Sequence, residues 1–296
     1  MDSYFRTNRE MWDELVPVHV RSRGPLGYNM EDFKRGGTAL HSVELEEVGD
    51  VAGKDLLHLQ CHFGLDTLSW ARLGARVTGV DFSEQGVAQA RTLAAELGID
   101  ARFVRANVYD LPRALDGDFD VVFSSYGALN WLPDLRAWGR LIADFLRPGG
   151  FFYIIDAHPF ASVLPDEPGR TDLTFANPYF PAPGPVRIEE DGSYADPGAH
   201  LEHRVSYEWS HTLGGIVNAL VDSGLRIDFF HEFPFCAWEA FAGMVLREDG
   251  YFHLPIGDGP VPFLFSVKAT KPRGQVSPPR TRRTKRGTPA GVGLDG

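Results

Sequence analysis

The amino-acid sequence predicts a doubly wound α/β fold, in which helices cover both faces of a mostly parallel sheet. Short apolar runs of strand length alternate with amphipathic segments of helical period between residues 54 and 155. Strands that are joined repeatedly by helices need right-handed crossovers and become parallel neighbours. Near the C-terminus two apolar runs lack a helix between them, which predicts a hairpin with one antiparallel strand at the sheet edge.

Signals for helix ends fall in a regular order along this region. Ser83 is placed to cap a helix that ends at Gly98, and Asp134 is placed to cap the helix before the fifth strand. A later helix ends at Gly224. The predicted parallel strands are 55–59, 76–80, 102–106, 120–124 and 151–155, and the predicted edge hairpin comprises 225–232 and 262–269.

The length of 296 residues predicts one main domain, residues 51–270, with three additions. Residues 1–50 are expected to form an N-terminal lid segment. Residues 156–206 hold eight of the 21 prolines and little periodicity, so we expect an inserted cap there. Residues 271–296 are expected to be a disordered basic tail, because they contain too few apolar residues to bury.

Charge and cysteine content exclude several classes of protein. The formal charge is −11; residues 271–296 contain seven Lys or Arg and one acid, leaving 22 basic and 39 acidic residues, a charge of −17, in 1–270. That acidity argues against nucleic acid as a partner, and the tail has no aromatic residue to stack on bases. Cys61 and Cys236 alone predict no disulfide framework and a reducing compartment.

No membrane or metal signal accompanies these features. Residues 1–10 are polar and lack the apolar core of a signal peptide, and no apolar run of about 18 residues occurs, so we expect a cytoplasmic protein. No group of His, Cys and acidic residues has the spacing of zinc ligands, and no metal site is predicted. The oligomeric state is left open.

The turn after the first predicted strand is where a ligand is expected, because such sheets bind ligands at the carboxyl ends of their strands. Gly64 is the one glycine of this turn, so neither a dinucleotide fingerprint nor a phosphate-binding loop is present. Asp81 ends the second strand and can accept hydrogen bonds from both hydroxyls of a ribose. The alternative interpretations are a solvated strand-end acid and the first-turn acid of the next helix. Together these features favour a nucleoside ligand without a pyrophosphate.

Five segments, in order and at matching spacing, resemble the motifs of class I S-adenosylmethionine-dependent methyltransferases. The resemblance is close over about 51–156 and looser as far as residue 269. It implies a Rossmann-like sheet, S-adenosylmethionine as cofactor, and methyl transfer to an acceptor. The segments are 56–68, which contains Gln60-Cys61-His62-Phe63-Gly64, then 77–83, 107–112, 120–124 and 146–150.

The same resemblance implies roles for individual residues. Asp81 would bind the ribose hydroxyls, Phe82 would pack on the adenine, and Asn107 would accept a hydrogen bond from the adenine amino group. Ser125 and Tyr126 would lie near the sulfonium and the entering substrate. The cofactor-binding residues predicted in this way are Gln60, Cys61, Gly64, Asp81, Phe82, Asn107, Val108 and Ser125.

The turn departs from the usual family pattern. An acid is usual at the position of His58, and glycines are usual at the positions of Gln60 and His62. The Gln-Cys-His-Phe-Gly form is similar to a variant that recurs within the family. We therefore expect contacts to the cofactor amino group to move to Gln60 or to another residue.

Two histidines are candidates for a catalytic base. His158 follows the fifth strand, and His211 lies at the start of a late helix. A turn residue that bonds local backbone is the alternative for His158, and a position beside a helix cap is the alternative for His211. His62 could also face the substrate from within the turn; the alternative is that it only fills the space left by the missing glycine.

Ten aromatic residues lie in the N-terminal segment, the cap and the loops, and about half of them are expected in the core. The others predict an apolar cover over the reacting centre. The ten are Trp12, Phe33, Trp131, Phe160, Phe175, Tyr179, Phe180, Trp209, Phe235 and Trp238. This favours a small, partly apolar organic acceptor, with O- or N-methylation ahead of C-methylation. Two alternatives stay open: a non-catalytic protein that binds S-adenosylmethionine or S-adenosylhomocysteine, and an NAD(P)-dependent oxidoreductase. The missing glycine fingerprint and the edge hairpin both count against the oxidoreductase.

Overall fold

The computed structural model describes residues 2–23, 27–165, 169, 171–256 and 261–274. None of the helices in these ranges combines the length and the apolar character needed to cross a membrane. The α-helices are α1 Asp2–Arg21, α2 Met30–Lys34, α3 Ser42–Val48, α4 Leu65–Arg72, α5 Glu84–Leu97, α6 Leu111–Ala114, α7 Leu135–Phe145 and α8 Leu213–Asp222. The strands are β1 Asp55–Leu59, β2 Arg76–Asp81, β3 Ala101–Arg105, β4 Phe119–Ser125, β5 Leu146–Ala157, β6 Val186–Glu189, β7 Val205–Glu208, β8 Arg226–Phe233, β9 Phe235–Cys236, β10 Val245–Leu246, β11 Phe252–His253 and β12 Leu264–Thr270.

The main sheet has the strand order β3-β2-β1-β4-β5-β12-β8. Strands β1 to β5 pair in parallel, whereas β12 is antiparallel to both β5 and β8. The predicted α/β fold and its antiparallel hairpin at the C-terminal edge are confirmed. Within that hairpin β12 lies inside and β8 is outermost. The strand order reverses between β1 and β4, and ligands bind at such a switch point in sheets of this kind.

Helix caps and strand bounds follow the predicted pattern closely. Ser83 Oγ accepts a hydrogen bond from the Gly86 N–H at 2.9 Å, and Asp134 caps α7 in the same way. One difference concerns β5, which begins before the predicted turn at 147–150. Its ladder with β4 changes register there, so those residues bulge without ending the strand.

The core lies on both faces of the sheet, as the period of two along a strand requires. On one face the core includes Trp138 and Phe145 of α7, Phe152 of β5 and apolar residues of α8. On the other face Trp70 and Tyr153 pack around the same strands. A sheet buried on both sides holds its strand ends in fixed positions, which is what a binding site there requires.

Helix α1 joins the N-terminal segment to the region expected to be a cap. Met11, Leu15 and Val18, whose spacing predicts one helical face, are buried against Leu201. The Asn8 side chain donates to the Tyr207 carbonyl at 2.8 Å and accepts from the Tyr207 N–H at 2.8 Å. The amide of Asn8 thus pairs with β7 as a neighbouring strand would, on the side away from β6.

The chain continues in regular contact past residue 270. Lys271 is buried, and its Nζ donates to the carbonyls of Ala143 at 2.7 Å and Leu146 at 2.8 Å. Its backbone also pairs with Gly149 and Gly150. The expected tail, 271–296, therefore begins inside the described fold, and residues 275–296 of that prediction lie outside the described residues.

Candidate functional site

The turn between β1 and α4 keeps a left-handed backbone with few glycines. Gln60 has φ 56° and His62 has φ 52°, a region that L-residues rarely adopt, and Gly64 follows with φ 85°. Such a conformation costs of the order of 1 kcal/mol or more for each non-glycine residue and persists where the surroundings enforce it. A Cβ on Gly64 would lie 2.7 Å from the Phe103 ring, so glycine is required there.

Asp81, at the end of β2, holds this turn in place. One carboxylate oxygen accepts from the His62 N–H at 2.8 Å, and the other accepts from the Ser83 N–H at 2.8 Å. Burial raises the pKa of Asp81 to about 6, against the effect of these hydrogen bonds. Each oxygen keeps a further acceptor position for a ligand.

A cleft opens at the carboxyl ends of β1, β2 and β4; its empty space, with the open solvent at its mouth, is about 740 Å³. Six of the eight predicted cofactor-binding residues line it, together with Tyr126. The side-chain oxygen of Asn107 already accepts from the Tyr109 N–H at 3.0 Å, which leaves its NH₂ and one lone pair for a ligand. The cleft is lined by Phe5, Trp12, Tyr28, Gln60, His62, Val80, Asp81, Phe82, Ala106, Asn107, Val108, Ser125, Tyr126, Gly127, Ala128, Trp131, Leu132 and Tyr194.

Cys61 and Gly64, the other two predicted cofactor-binding residues, lie behind the turn and not on the cleft wall. Cys61 is buried in an apolar cluster with Phe63 and Phe103, and burial raises the pKa of its thiol. The structure therefore places both residues where they shape the turn.

His158 and His211 also lie away from the cleft lining. His158 Nδ1 accepts from the Phe160 N–H at 2.9 Å, so its Nε2 carries the proton that is donated to Glu232 at 2.9 Å. His211 Nε2 donates to the carbonyls of Leu129 at 3.1 Å and Leu132 at 2.9 Å. Both rings thus hold loops beside the sheet.

An aromatic cover closes the cleft from above the turn. The Trp12 ring lies 5.1 Å from the His62 ring and 5.4 Å from the Trp131 ring, measured between centroids. The Tyr28 and Tyr194 hydroxyls are hydrogen-bonded to each other. Trp12 and Trp131 belong to the aromatic set that predicted a cover, whereas no spacing in the sequence marks Tyr28 or Tyr194.

His62 connects the cleft to a buried hydrogen-bond chain. Its Nε2 lies 2.9 Å from His19 Nδ1, and His19 Nε2 lies 2.7 Å from Ser193 Oγ. Burial lowers the pKa of His19 to about 4. Burial also lowers the pKa of His62 well below its usual value, and the neighbouring His19 ring adds to this effect. Both imidazoles are neutral at pH 7, and the sequence offers no local signal of their pairing.

Two acids, the buried Glu44 and the half-buried Asp66, lie behind the wall formed by Ser125 and Tyr126. Ser125 Oγ donates to Asp66 Oδ2 at 2.7 Å, and the Tyr126 hydroxyl donates to Glu44 Oε2 at 2.8 Å. Burial raises the pKa of Asp66 to about 6 and that of Glu44 to about 8. At pH 7 Asp66 is therefore mainly charged and Glu44 mainly neutral.

Gln60 presents an acceptor without a partner to the same end of the cleft. Its Nε2 donates to the Ala128 carbonyl at 2.8 Å, whereas its buried Oε1 has no hydrogen-bond partner among the described residues. The loop that carries Ala128 is held by Asp156, whose carboxylate accepts from the N–H groups of Gly127, Ala128 and Leu129. An orphaned buried acceptor indicates a position for a ligand that donates hydrogen bonds.

Comparisons with known proteins agree with this geometry. A family model described as a methyltransferase domain matches residues 56–150. The ubiquinone biosynthesis O-methyltransferase of Xanthomonas euvesicatoria is 36% identical over 119 residues, which cover 39% of this chain and 49% of that protein. The protein of the same name from Albidiferax ferrireducens is 30% identical over 173 residues, covering 54% of this chain and 68% of that protein.

A solved structure of an S-adenosylmethionine-dependent methyltransferase from Mesorhizobium loti is also similar. Its TM-score is 0.54 at 25% identity, over 80% of this chain and 99% of that chain. The chain spans about half the length of the first curated relatives that it matches.

Proposed function

The chain belongs to the class I S-adenosylmethionine-dependent methyltransferases, and on that premise we propose that it transfers a methyl group to a small, partly apolar acceptor. A hydroxyl acceptor is favoured, since the curated relatives are named as O-methyltransferases, and an amine is the next choice. The observation that carries the proposal is the cleft at the strand ends with Asp81 on its wall.

The residues of the cleft fit the cofactor. Asp81 has free acceptor positions for the two ribose hydroxyls, and the Phe82 and Val108 side chains offer apolar surface for the adenine. At the opposite end, the orphaned Gln60 Oε1 and the Ser125 hydroxyl offer polar contacts for the amino-acid portion. We propose these residues, with Asn107, as the cofactor site.

When bound, S-adenosylmethionine supplies a methyl group on a sulfonium, whose carbon is already activated for in-line displacement. The chain then has to bind, orient and exclude water. The aromatic cover serves the exclusion of water, because Trp12, Tyr28 and Trp131 place rings over the cleft. Since positioning supplies most of the rate, acidic or basic residues matter only where the acceptor must lose a proton.

His62 is the imidazole that the geometry favours for accepting such a proton. It lines the cleft and is neutral, whereas the two histidines predicted from the sequence are engaged outside the lining. His19 and Ser193 continue the hydrogen-bond chain away from the acceptor and keep the His62 ring in one orientation.

Ligand-dependent thermal unfolding tests the cofactor. We expect the unfolding temperature to rise with S-adenosylmethionine and S-adenosylhomocysteine and to stay unchanged with NAD and NADP. A rise with the nicotinamide cofactors alone would support the oxidoreductase alternative and contradict the proposal.

Release of S-adenosylhomocysteine, measured by chromatography across a panel of phenols, catechols and aromatic amines, tests the reaction. We expect turnover with at least one hydroxyl-bearing aromatic compound and none with the same compound already methylated on that oxygen. Cofactor binding without turnover across the panel would favour the non-catalytic alternative.

A further inference from the structure

We infer that Asp66 makes the Ser125 end of the cleft selective for an ammonium group, and that this group is the amino group of the cofactor's amino-acid portion. The inference rests on the proposed function. Asp66 would act through the Ser125 hydroxyl as a positioning residue and supply the opposite charge. Three features of this end of the cleft carry the inference.

First, the polar side chains here present acceptors to a ligand. Ser125 gives its hydroxyl proton to Asp66 Oδ2 at 2.7 Å, and Gln60 gives one of its two amide protons to the Ala128 carbonyl at 2.8 Å. Lone pairs on Ser125 Oγ and on the orphaned Gln60 Oε1 remain for a ligand. Such a pair of acceptors matches an ammonium group, which has three donors and no acceptor.

Second, the charge behind these acceptors is negative. The Asp66 carboxylate is mainly ionised at pH 7, although burial raises its pKa, and among the described residues that line the cleft none is Lys or Arg. An anion held in partly buried surroundings is stabilised when a cation arrives within a few ångströms. The Ser125 hydroxyl lies between the anion and the cleft, so its oxygen is polarised toward the ligand.

Third, His58, which stands where the family usually has an acid, carries no charge here. His58 Nδ1 is 2.8 Å from Thr67 Oγ1, its Nε2 is 3.4 Å from Ser125 Oγ, and burial lowers its pKa to about 3. The ring is therefore neutral. Asp66, in the first turn of α4, brings a carboxylate to the same serine from the helix. The carboxylate at this end of the cleft therefore comes from α4 and not from β1.

Calorimetric titration with two probes tests this assignment. S-adenosylhomocysteine carries the amino-acid portion, whereas 5′-methylthioadenosine has the same adenosine and no amino group. We expect Asp66→Asn to weaken S-adenosylhomocysteine binding roughly 10- to 100-fold, the range for a lost charged hydrogen bond, and to change 5′-methylthioadenosine binding less than about twofold. Asp81→Asn is the matched control and should weaken both probes by a similar factor.

A second variant keeps the test valid if Asp66→Asn does not fold, which circular dichroism would show. Ser125→Ala removes the hydroxyl between the acid and the cleft and should weaken only S-adenosylhomocysteine, by roughly five- to tenfold. Equal losses for both probes, or no loss for either, would overturn the inference and leave the cofactor cleft intact. A wild-type protein that binds neither probe would instead overturn the proposed function.

Discussion

One aspartate lies at each end of the cleft, the buried Asp81 and the half-buried Asp66, but the two side chains are held differently. Asp81 uses both oxygens to accept backbone N–H groups, one from the turn and one from Ser83, the residue that caps α5. Asp66 is bonded through one oxygen to a side-chain hydroxyl. Burial raises the pKa of each to about 6. The backbone-held acid fixes the turn, whereas Asp66 contacts a side chain that itself lines the cleft.

The largest effect is expected when both acids are changed together. If the two ends act independently, the double variant Asp81→Asn/Asp66→Asn should lose S-adenosylhomocysteine affinity by the product of the single losses, roughly 10²- to 10⁴-fold. Calorimetry on the four proteins gives the cycle. If the double variant binds S-adenosylhomocysteine as tightly as the weaker-binding single variant, the two ends do not act independently and the acids form one coupled site.

Acid should weaken the cofactor through both ends. A ligand that needs each carboxylate charged competes with protons below the pKa of about 6 in the free protein. S-adenosylhomocysteine affinity should therefore fall as the pH falls from 7 to 5, by up to about tenfold per pH unit for each acid. In Asp66→Asn the fall should be shallower and match that of 5′-methylthioadenosine. A pH profile that Asp66→Asn leaves unchanged would contradict the assignment.

Stability should separate the two acids in the unliganded protein. Asn at position 66 can keep an acceptor toward Ser125, whereas Asn at position 81 would turn its NH₂ toward a backbone N–H. Both variants remove a carboxylate whose pKa is raised to about 6, so the mismatched contact should remain as the main difference in stability. We therefore expect the free energy of unfolding, measured in urea, to be about 2 kcal/mol higher for Asp66→Asn than for Asp81→Asn. Asp110→Asn, at an exposed ion pair with Arg113, is the surface control.

The smallest effect on the cofactor is expected at the two histidines outside the cleft. His158→Ala and His211→Ala should each leave S-adenosylhomocysteine affinity within about twofold. His211→Ala should still lower the free energy of unfolding by about 1 kcal/mol, because two loop carbonyls lose their donor. A loss of turnover above about 100-fold in His158→Ala or His211→Ala, with the fold intact, would return that histidine to the catalytic site.

The sheet could be predicted from sequence because its signals are local. The first four strands lie within one residue of their predicted bounds, since apolar runs, caps and glycines mark them directly. Asp81 could be predicted for the same reason, as an acid at a strand end. The role of Asp66 could not, because its partner Ser125 is 59 residues away. Likewise His19 meets His62, and Tyr28 meets Tyr194, through folding of distant segments.

The pairing of Asn8 with Tyr207 bears on how the protein can be handled. A strand edge with open N–H and carbonyl groups is a template on which another chain can add a strand and begin to aggregate. Here one side-chain amide occupies that template at the midpoint of β7, and α1 covers it. Removal of the first ten residues would therefore expose the edge of β7 and favour aggregation. A purification tag is better placed away from α1.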